Sequence, residues 1–184
     1  MIGGRGVPPP SLTVQEPGPA PARPWRLSAR LLLVGADARV LLVPVHDDEA
    51  GWWDLPGGGV EARETTAEAA VRETLEETGY AVPFEAVGPV CWSGEVLFRW
   101  LGRWHWSRQV VHLARTANID VPVQVRLTDE ESGTHGAARW WTVAQAVERG
   151  LAVPPFDSAA ALGELIAGSV VTDAFVRWLP PASP

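Results

Sequence analysis

The sequence lacks lysine altogether, and its 184 residues include one cysteine, one methionine and one tyrosine. A single cysteine, Cys91, excludes an internal disulfide and leaves no thiolate cluster for zinc. The chain also lacks an apolar run of about 18 residues, the length that a membrane-spanning helix needs. Its first residues lack the apolar segment of a secretory signal. These absences predict a cytoplasmic protein that does not span a membrane.

Positive charge is also in short supply. Acidic residues number 22 and basic residues 15, all of them arginine, so the formal net charge is −7. A protein that holds nucleic acid on a broad basic surface shows the opposite balance. The charge therefore argues against a nucleic-acid polymer as the partner. With 46% hydrophobic residues, the composition is that of a globular protein of about one domain.

The prolines divide the chain into two parts. Residues 1–24 contain seven of the 17 prolines and few apolar groups, which predicts a flexible N-terminal arm. We expect a single folded domain over residues 25–180, where strand and helix patterns begin and continue. Residues 56–59 form a glycine-rich segment that is too permissive to predict regular structure.

Both kinds of secondary structure are predicted within this domain. Five segments have strand character: 27–34, 40–46, 86–100, 104–114 and 137–143. One long helix is predicted over residues 64–78, capped by Thr65 or Thr66 and ended by Gly79. Three further helices are predicted at 143–149, 158–167 and 172–179. This mixed order indicates an α/β or α+β fold.

The long helix carries an unusual concentration of carboxylates. Its apolar stripe is predicted to contain the following residues: Ala67, Ala70, Val71, Thr74, Leu75 and Thr78. Glu73, Glu76 and Glu77 are three and four residues apart, so they project from one face and repel one another. A solvated acidic face is the ordinary interpretation of such a pattern. The glycines before the helix and Arg72 inside the cluster favour a site for Mg²⁺ or Mn²⁺ instead.

The spacing of these residues carries a family resemblance. The motif consists of Gly58, Glu64, Arg72, Glu73, Glu76, Glu77 and Gly79. This arrangement resembles the Nudix box of the MutT-like Nudix hydrolase family, Gly-x5-Glu-x7-Arg-Glu-U-x-Glu-Glu-x-Gly-U, where U is usually a bulky aliphatic residue. All seven fixed residues are present, while Thr74 and Tyr80 replace the aliphatic ones. The resemblance extends over about residues 26–150, since residues 52–58 and 139–141 also fit the family.

The resemblance implies a fold and a reaction. The fold is a mixed β-sheet sandwiched between α-helices, with the box as a loop–helix–loop. The reaction is Mg²⁺-dependent hydrolysis of the diphosphate bond in a nucleoside diphosphate linked to another moiety. The residues that match the family's metal-binding positions are Gly57, Glu73, Glu76 and Glu77. Arg72 and Glu64 match positions that orient these carboxylates.

The resemblance also implies a general base, which the motif does not fix. Family members often place a further glutamate in a loop before the last core strand. Glu131 or Glu130 occupies that region here, and a glutamate of the box is the alternative.

The substrate is not defined by the box. Trp104 and Trp106 share one face of the predicted strand, and Arg103 and Arg108 flank them. These residues either stack a base and bind a phosphate or form a packed outer face, and the sequence does not decide between the two. A non-nucleotide biosynthetic diphosphate and a non-catalytic ligand-binding role are the alternatives to a nucleotide hydrolase. A homodimer is also left open.

Overall fold

The computed structural model describes residues 26–47, 50–100, 103–117, 133–156 and 159–178. The predicted arm at residues 1–24 lies outside these residues, as do Glu130 and Glu131. Within the described ranges, no helix has the length and apolarity needed to cross a membrane.

The described strands form one mixed sheet. Their bounds are β1 (Arg26–Gly35), β2 (Arg39–His46), β3 (Gly51–Asp54), β4 (Gly57–Gly59), β5 (Val87–Trp100), β6 (Arg103–Thr116), β7 (Arg139–Thr142) and β8 (Val171–Trp178). The strand order is β3-β2-β1-β6-β5-β8, with β4 also paired to β1 and β7 to β2. Two pairs, β1 with β6 and β5 with β8, are parallel, and the other pairs are antiparallel.

Helices cover both faces of this sheet. They are α1 (Thr66–Thr78), α2 (Val143–Glu148) and α3 (Ala160–Ile166), and a 3-10 helix spans Phe84–Ala86. Because side chains alternate along a strand, Leu31 and Leu33 pack on the side of α1, in one cluster with Ala69. Leu32 belongs to the opposite cluster, with Leu162 of α3. The predicted sheet between helices is confirmed.

The last described element differs from the prediction. Residues 172–179 were expected to form a helix, but the chain forms strand β8 there and pairs with β5. The segment is rich in β-branched and aromatic residues, which fit a pleated strand better than a helix. Asp173 has a φ of 53° where the register with β5 shifts, which marks a bulge. Backbone hydrogen bonds to the edge of β5 stabilise this segment as a strand instead of a helix.

The glycine-rich segment also differs from the prediction, because it is regular. Gly57–Gly59 forms β4, antiparallel to β1. Gly57 has a φ of 150°, and a Cβ there would lie 2.3 Å from the carbonyl oxygen of Ala29. Only glycine allows the backbone to approach β1 so closely.

Helix α1 begins and ends close to its predicted bounds. Thr65 accepts a hydrogen bond from the Glu68 backbone and Glu68 returns one, so the two form a capping box. Gly79 ends the helix in the left-handed conformation. The side of the helix that carries Leu75 is not buried throughout, since Leu75 is 41% exposed, whereas Glu73 and Glu77 are buried. The helix is rotated so that two carboxylates, not leucine, face the sheet.

Candidate active site

Glu77 connects helix α1 to the glycine strand. Its Oε2 accepts a hydrogen bond of 2.9 Å from the backbone N–H of Gly57. Burial raises the pKa of Glu77 well above its usual range, and the charges of Glu73 and Asp54 act in the same direction. The Gly57 hydrogen bond and the charge of Arg30 oppose that rise in pKa. The charged form of Glu77 is thus disfavoured mainly by burial and further by two neighbouring carboxylates.

Arg72 organises the other carboxylates of the box. Its guanidinium donates to Glu64 at 2.8 Å, to Glu73 at 2.9 Å and to Glu76 at 3.0 Å. It also donates to the carbonyl oxygen of Gly59 at 2.9 Å. Hydrogen bonding to Arg72 is the main cause that holds the pKa of Glu64 below its usual value. Arg72 therefore joins the strand, the loop and the helix of the box.

A second partly buried arginine, Arg30, packs against the glycine strand. Arg30, from β1, lies 2.9 Å from the carboxylate of Asp54 and donates to the Leu55 carbonyl oxygen at 2.8 Å. Its Nε donates to Oε1 of Gln109 on β6 at 3.3 Å. Burial raises the pKa of Asp54 to about 6, although the Arg30 charge opposes this. A Cβ on Gly57 would lie 2.6 Å from the Arg30 backbone, so the arginine packs directly against the glycine strand.

Glu77, Arg30 and Asp54 open onto one cavity of about 350 Å³, whereas Arg72 and the carboxylates bound to it do not line it. Glu77, Asp54 and Gly57–Gly59 line one part of it. Arg26 also lines it, and its guanidinium lies so close to Gly59 that a Cβ there would be 2.3 Å from it. Such a guanidinium is suited to bind phosphate oxygens. The cavity therefore places carboxylates and a cation around space for a small molecule.

The sequence-predicted substrate residues are not brought to this cavity. On β6 the lining residues are His105, Ser107 and Gln109, so the even-numbered residues face the other side of the sheet. There Trp104 packs against the Arg177 guanidinium, with 5.3 Å between guanidinium and ring centroid, and Trp106 donates to Glu95 at 3.2 Å.

The two flanking arginines are placed outside the cavity as well. Arg108 forms an ion pair with Asp173 at 3.6 Å. Arg103 is exposed and does not line the cavity. For Trp104, Trp106 and Arg108 the geometry corresponds to the outer-face alternative, because β6 presents the opposite set of side chains to the site. Arg103 has the same parity as His105 but begins the strand, beyond the residues that line the cavity.

Several site residues were missed by sequence reasoning. They are Arg26, Arg30, Asp54, Gln109 and Trp178. Arg30 did carry a signal, because it interrupts an otherwise apolar strand. His112 is structural, since its ring contacts Thr66 Oγ1 at 2.9 Å and the Gly88 carbonyl at 3.2 Å.

The residues of the box suit a hard divalent cation by their chemistry. Glu73, Glu76, Glu77 and the Gly57 carbonyl offer only oxygen donors, which Mg²⁺ and Mn²⁺ prefer. Among the described residues no three carboxylate, imidazole or thiolate groups converge closely enough to hold a metal ion. Glu73 and Glu76 are instead turned onto Arg72. The observation that fits a bound cation is the buried Glu77 carboxylate with the charges of Glu73 and Asp54 near it.

Two candidates for the general base, Glu130 and Glu131, fall outside the described residues, but their neighbour His135 does not. His135 Nε2 lies 3.6 Å from Glu77 Oε1, and its backbone forms an isolated bridge with Val45. His135 lies four residues after Glu131 and contacts the box through Glu77.

Comparison with known proteins agrees with this arrangement. Residues 24–162 match the family described as the NUDIX domain. Nudix hydrolase 25 of Arabidopsis thaliana is 28% identical over 127 residues, which are 64% of this chain and 71% of that protein. An RNA pyrophosphohydrolase of Rickettsia bellii is 31% identical over 71 residues, which are 39% of this chain and 44% of that protein. Several other curated relatives are likewise matched over less than two thirds of their own length.

Solved structures show the same fold. The MutT protein of Bacillus halodurans superposes with a TM-score of 0.59 at 19% identity, covering 86% of this chain and 93% of that one. The family match and the curated relatives identify a hydrolase of the Nudix type, whose box helix and buried carboxylates the structure contains. The chain belongs to the Nudix hydrolase family.

Proposed function

We propose that this chain hydrolyses the diphosphate bond of a nucleoside diphosphate linked to another moiety, with Mg²⁺ or Mn²⁺ as cofactor. The observation that carries the proposal is Glu77, a buried carboxylate that lines the cavity and is fixed by the Gly57 N–H. A substrate diphosphate brings further negative charge to this position. The family generally uses a divalent metal, and the oxygen donors of this chain suit one.

Each residue of the box has a separate task in this proposal. Glu73, Glu76, Glu77 and the Gly57 carbonyl would hold the cation. When bound, the cation neutralises the diphosphate and lowers the pKa of a water molecule. Arg72 and Glu64 keep the carboxylates in position through the hydrogen bonds between them.

The substrate's phosphates and the water need further groups from the protein. Arg26 binds a phosphate oxygen from the cavity wall. Glu131 is assigned the role of general base, with Glu130 or a glutamate of the box as the alternative. The contact between His135 and Glu77 supports this assignment, because it brings the neighbouring chain to the box.

A non-nucleotide biosynthetic diphosphate is the second candidate substrate, and a binding domain without turnover is the third. The binding domain is disfavoured because every fixed residue of the box is present. We also propose that the protein acts in the cytoplasm, supported by its single buried cysteine. Light scattering would test whether the protein forms a homodimer.

The proposal is tested by incubating the full chain with a panel of diphosphates in Mg²⁺, in Mn²⁺ and in EDTA. The panel contains ADP-ribose, nucleoside triphosphates, dimethylallyl diphosphate and, given the RNA pyrophosphohydrolase relatives, a 5′-triphosphorylated RNA. We expect metal-dependent turnover of a nucleotide and none with Glu77→Gln. Turnover of dimethylallyl diphosphate alone would favour the second candidate, and binding without any turnover would favour the third.

A further inference from the structure

The cavity has an aromatic end that the box does not explain. Trp178 on β8 pairs with Phe98 on β5, and Phe98 pairs with His105 on β6. Residues that pair directly across a sheet point to the same face, so the three rings form a row on neighbouring strands. All three line the cavity and are half-buried.

The rings of this row contact one another and the opposite wall. Phe98 and His105 are stacked, with ring centroids 5.3 Å apart and planes inclined by 21°. Trp178 meets Trp52 of β3 edge to face, with centroids 5.0 Å apart. These contacts hold the rings in place before a ligand enters. Binding therefore costs little further side-chain conformational entropy.

The row lies at a suitable distance from the carboxylate end. Gln109 contacts Arg30, which in turn contacts Asp54 beside the box. His105 precedes Gln109 by four residues on β6, which corresponds to about 13 Å along a strand. A ligand whose diphosphate lies at Glu77 must therefore extend over several bonds before it reaches the rings. A nucleoside has this length and ends in a planar group.

Polar groups beside the row favour a base over an alkyl chain. Ser107 and Gln109 lie between the rings and Arg30 on the same strand, and both line the cavity. Gln109 Nε2 donates to Ser107 Oγ at 3.1 Å while its Oε1 accepts from Arg30, so the amide is fixed. A hydroxyl that accepts through its oxygen still has a proton to donate. Heteroatoms on the edge of a base can use that proton, whereas an isoprenoid chain cannot.

We infer that Trp178, Phe98, His105 and Trp52 form the binding site for the nucleobase of the substrate, and that Trp178 determines how tightly the base is held. This inference rests on the proposed function, because it takes the ligand's phosphates to lie at the box. It replaces the stacking role that the sequence suggested for Trp104 and Trp106.

The test compares two ligands that differ only in the base. Adenosine 5′-monophosphate and ribose 5-phosphate are titrated into the full chain by calorimetry, in Mg²⁺. We expect the nucleotide to bind at least about tenfold more tightly, the scale of base–aromatic stacking. Equal affinities, including no measurable binding of either ligand, would overturn the inference. Because binding is measured without turnover, this result is independent of the outcome of the diphosphate panel.

Variants then assign the effect to Trp178. Trp178→Ala should bring the nucleotide close to the affinity of ribose 5-phosphate, and Trp178→Phe should restore most of the difference. Trp104→Ala is the matched control, because it removes the same side chain from the other face of the sheet. Circular dichroism and thermal melting verify that each variant is folded. Equal losses in Trp178→Ala and Trp104→Ala would overturn the inference, as would tighter binding of dimethylallyl monophosphate than of the nucleotide.

Discussion

The Arg30 guanidinium lies 2.9 Å from the Asp54 carboxylate, and both side chains are largely withdrawn from solvent. The pair joins β1 to the strand that leads into the glycines of the box. Arg30 also donates to the carbonyl oxygen of Leu55, one residue before Pro56. The backbone at Gly57, to which Glu77 is hydrogen-bonded, is therefore supported from behind by a side chain that is not part of the box.

The first prediction concerns the pH dependence of stability without metal. The pKa of Asp54 is about 6 in the folded protein, against an ordinary value of 3.8. Below both values the carboxyl is protonated in the folded and the unfolded chain, whereas above both it is ionised at a cost in the folded chain alone. The free energy of unfolding should therefore fall as pH rises from about 4 to about 6, by about 3 kcal/mol.

Urea titrations in EDTA at several pH values measure this slope. Asp54→Asn is the control, because its neutral amide resembles the protonated carboxyl and has no charge to gain as pH rises. Its stability should therefore change less between pH 4 and 6, and above pH 6 it should be no lower than that of the wild type. An unchanged slope in Asp54→Asn would assign the effect to another group.

Glu77→Gln should separate folding from catalysis. Glutamine keeps the shape of the side chain and an oxygen that accepts from the Gly57 N–H, while it removes a charge that burial disfavours. We expect the variant to melt no lower than the wild type in EDTA. Its kcat should fall by at least about 100-fold, the upper end of the loss seen when support of a metal site is removed. Steady-state kinetics on the preferred diphosphate would contradict the assignment if kcat were unchanged.

Gly57→Ala and Gly58→Ala should impair different properties of the protein, stability in the first and metal binding in the second. A Cβ at Gly57 would lie 2.3 Å from a backbone oxygen, and alanine disfavours the φ of this position. Gly57→Ala should therefore lower the free energy of unfolding. A Cβ at Gly58 would instead lie 2.5 Å from Oε1 of Glu73, a side-chain atom that can move. We expect Gly58→Ala to melt near the wild-type temperature but to bind Mn²⁺ more weakly. Melting curves and Mn²⁺ titrations of both variants check this, and identical behaviour would contradict it.

A divalent cation should stabilise the fold. At a concentration a hundred times its dissociation constant, linkage contributes about 2.7 kcal/mol. For a chain of this length that corresponds to a rise of about 5–10 °C in Tm. Differential scanning calorimetry in Mg²⁺ and in EDTA measures it, with Glu77→Gln as the variant in which the rise should shrink. Equal melting temperatures in the wild type would argue against a cation at the box.

The box helix was predictable because its signals are local. Thr65, Glu68 and Gly79 mark the helix ends within a few residues of chain, and the structure places caps there. Its rotation was not predictable to the same degree. In the structure Glu73 and Glu77 are buried and Leu75 is exposed. The hydrogen bond between Glu77 and Gly57 fixes this rotation, and the two residues are distant in sequence.

The substrate side of the cavity was hidden for the same reason. Alternation along β6 separates Trp104 and Trp106 from His105 and Ser107, but it does not say which set faces the site. The parallel register of β1 and β6, which places Gln109 beside Arg30, decides this. Trp178 was missed because residues 172–179 were interpreted as a helix, and the pairing with β5 that places its ring at the cavity is distant in sequence.

Strand β8 lies at the edge of the sheet, about a hundred residues after the box in the chain. The ring proposed to set the affinity for the base and the carboxylates of the box are thus encoded far apart in the gene. Substitutions in β8 can therefore change the affinity for a ligand while the residues of the box stay unchanged. Exchanging residues 159–178 between relatives is therefore a compact route to engineered selectivity.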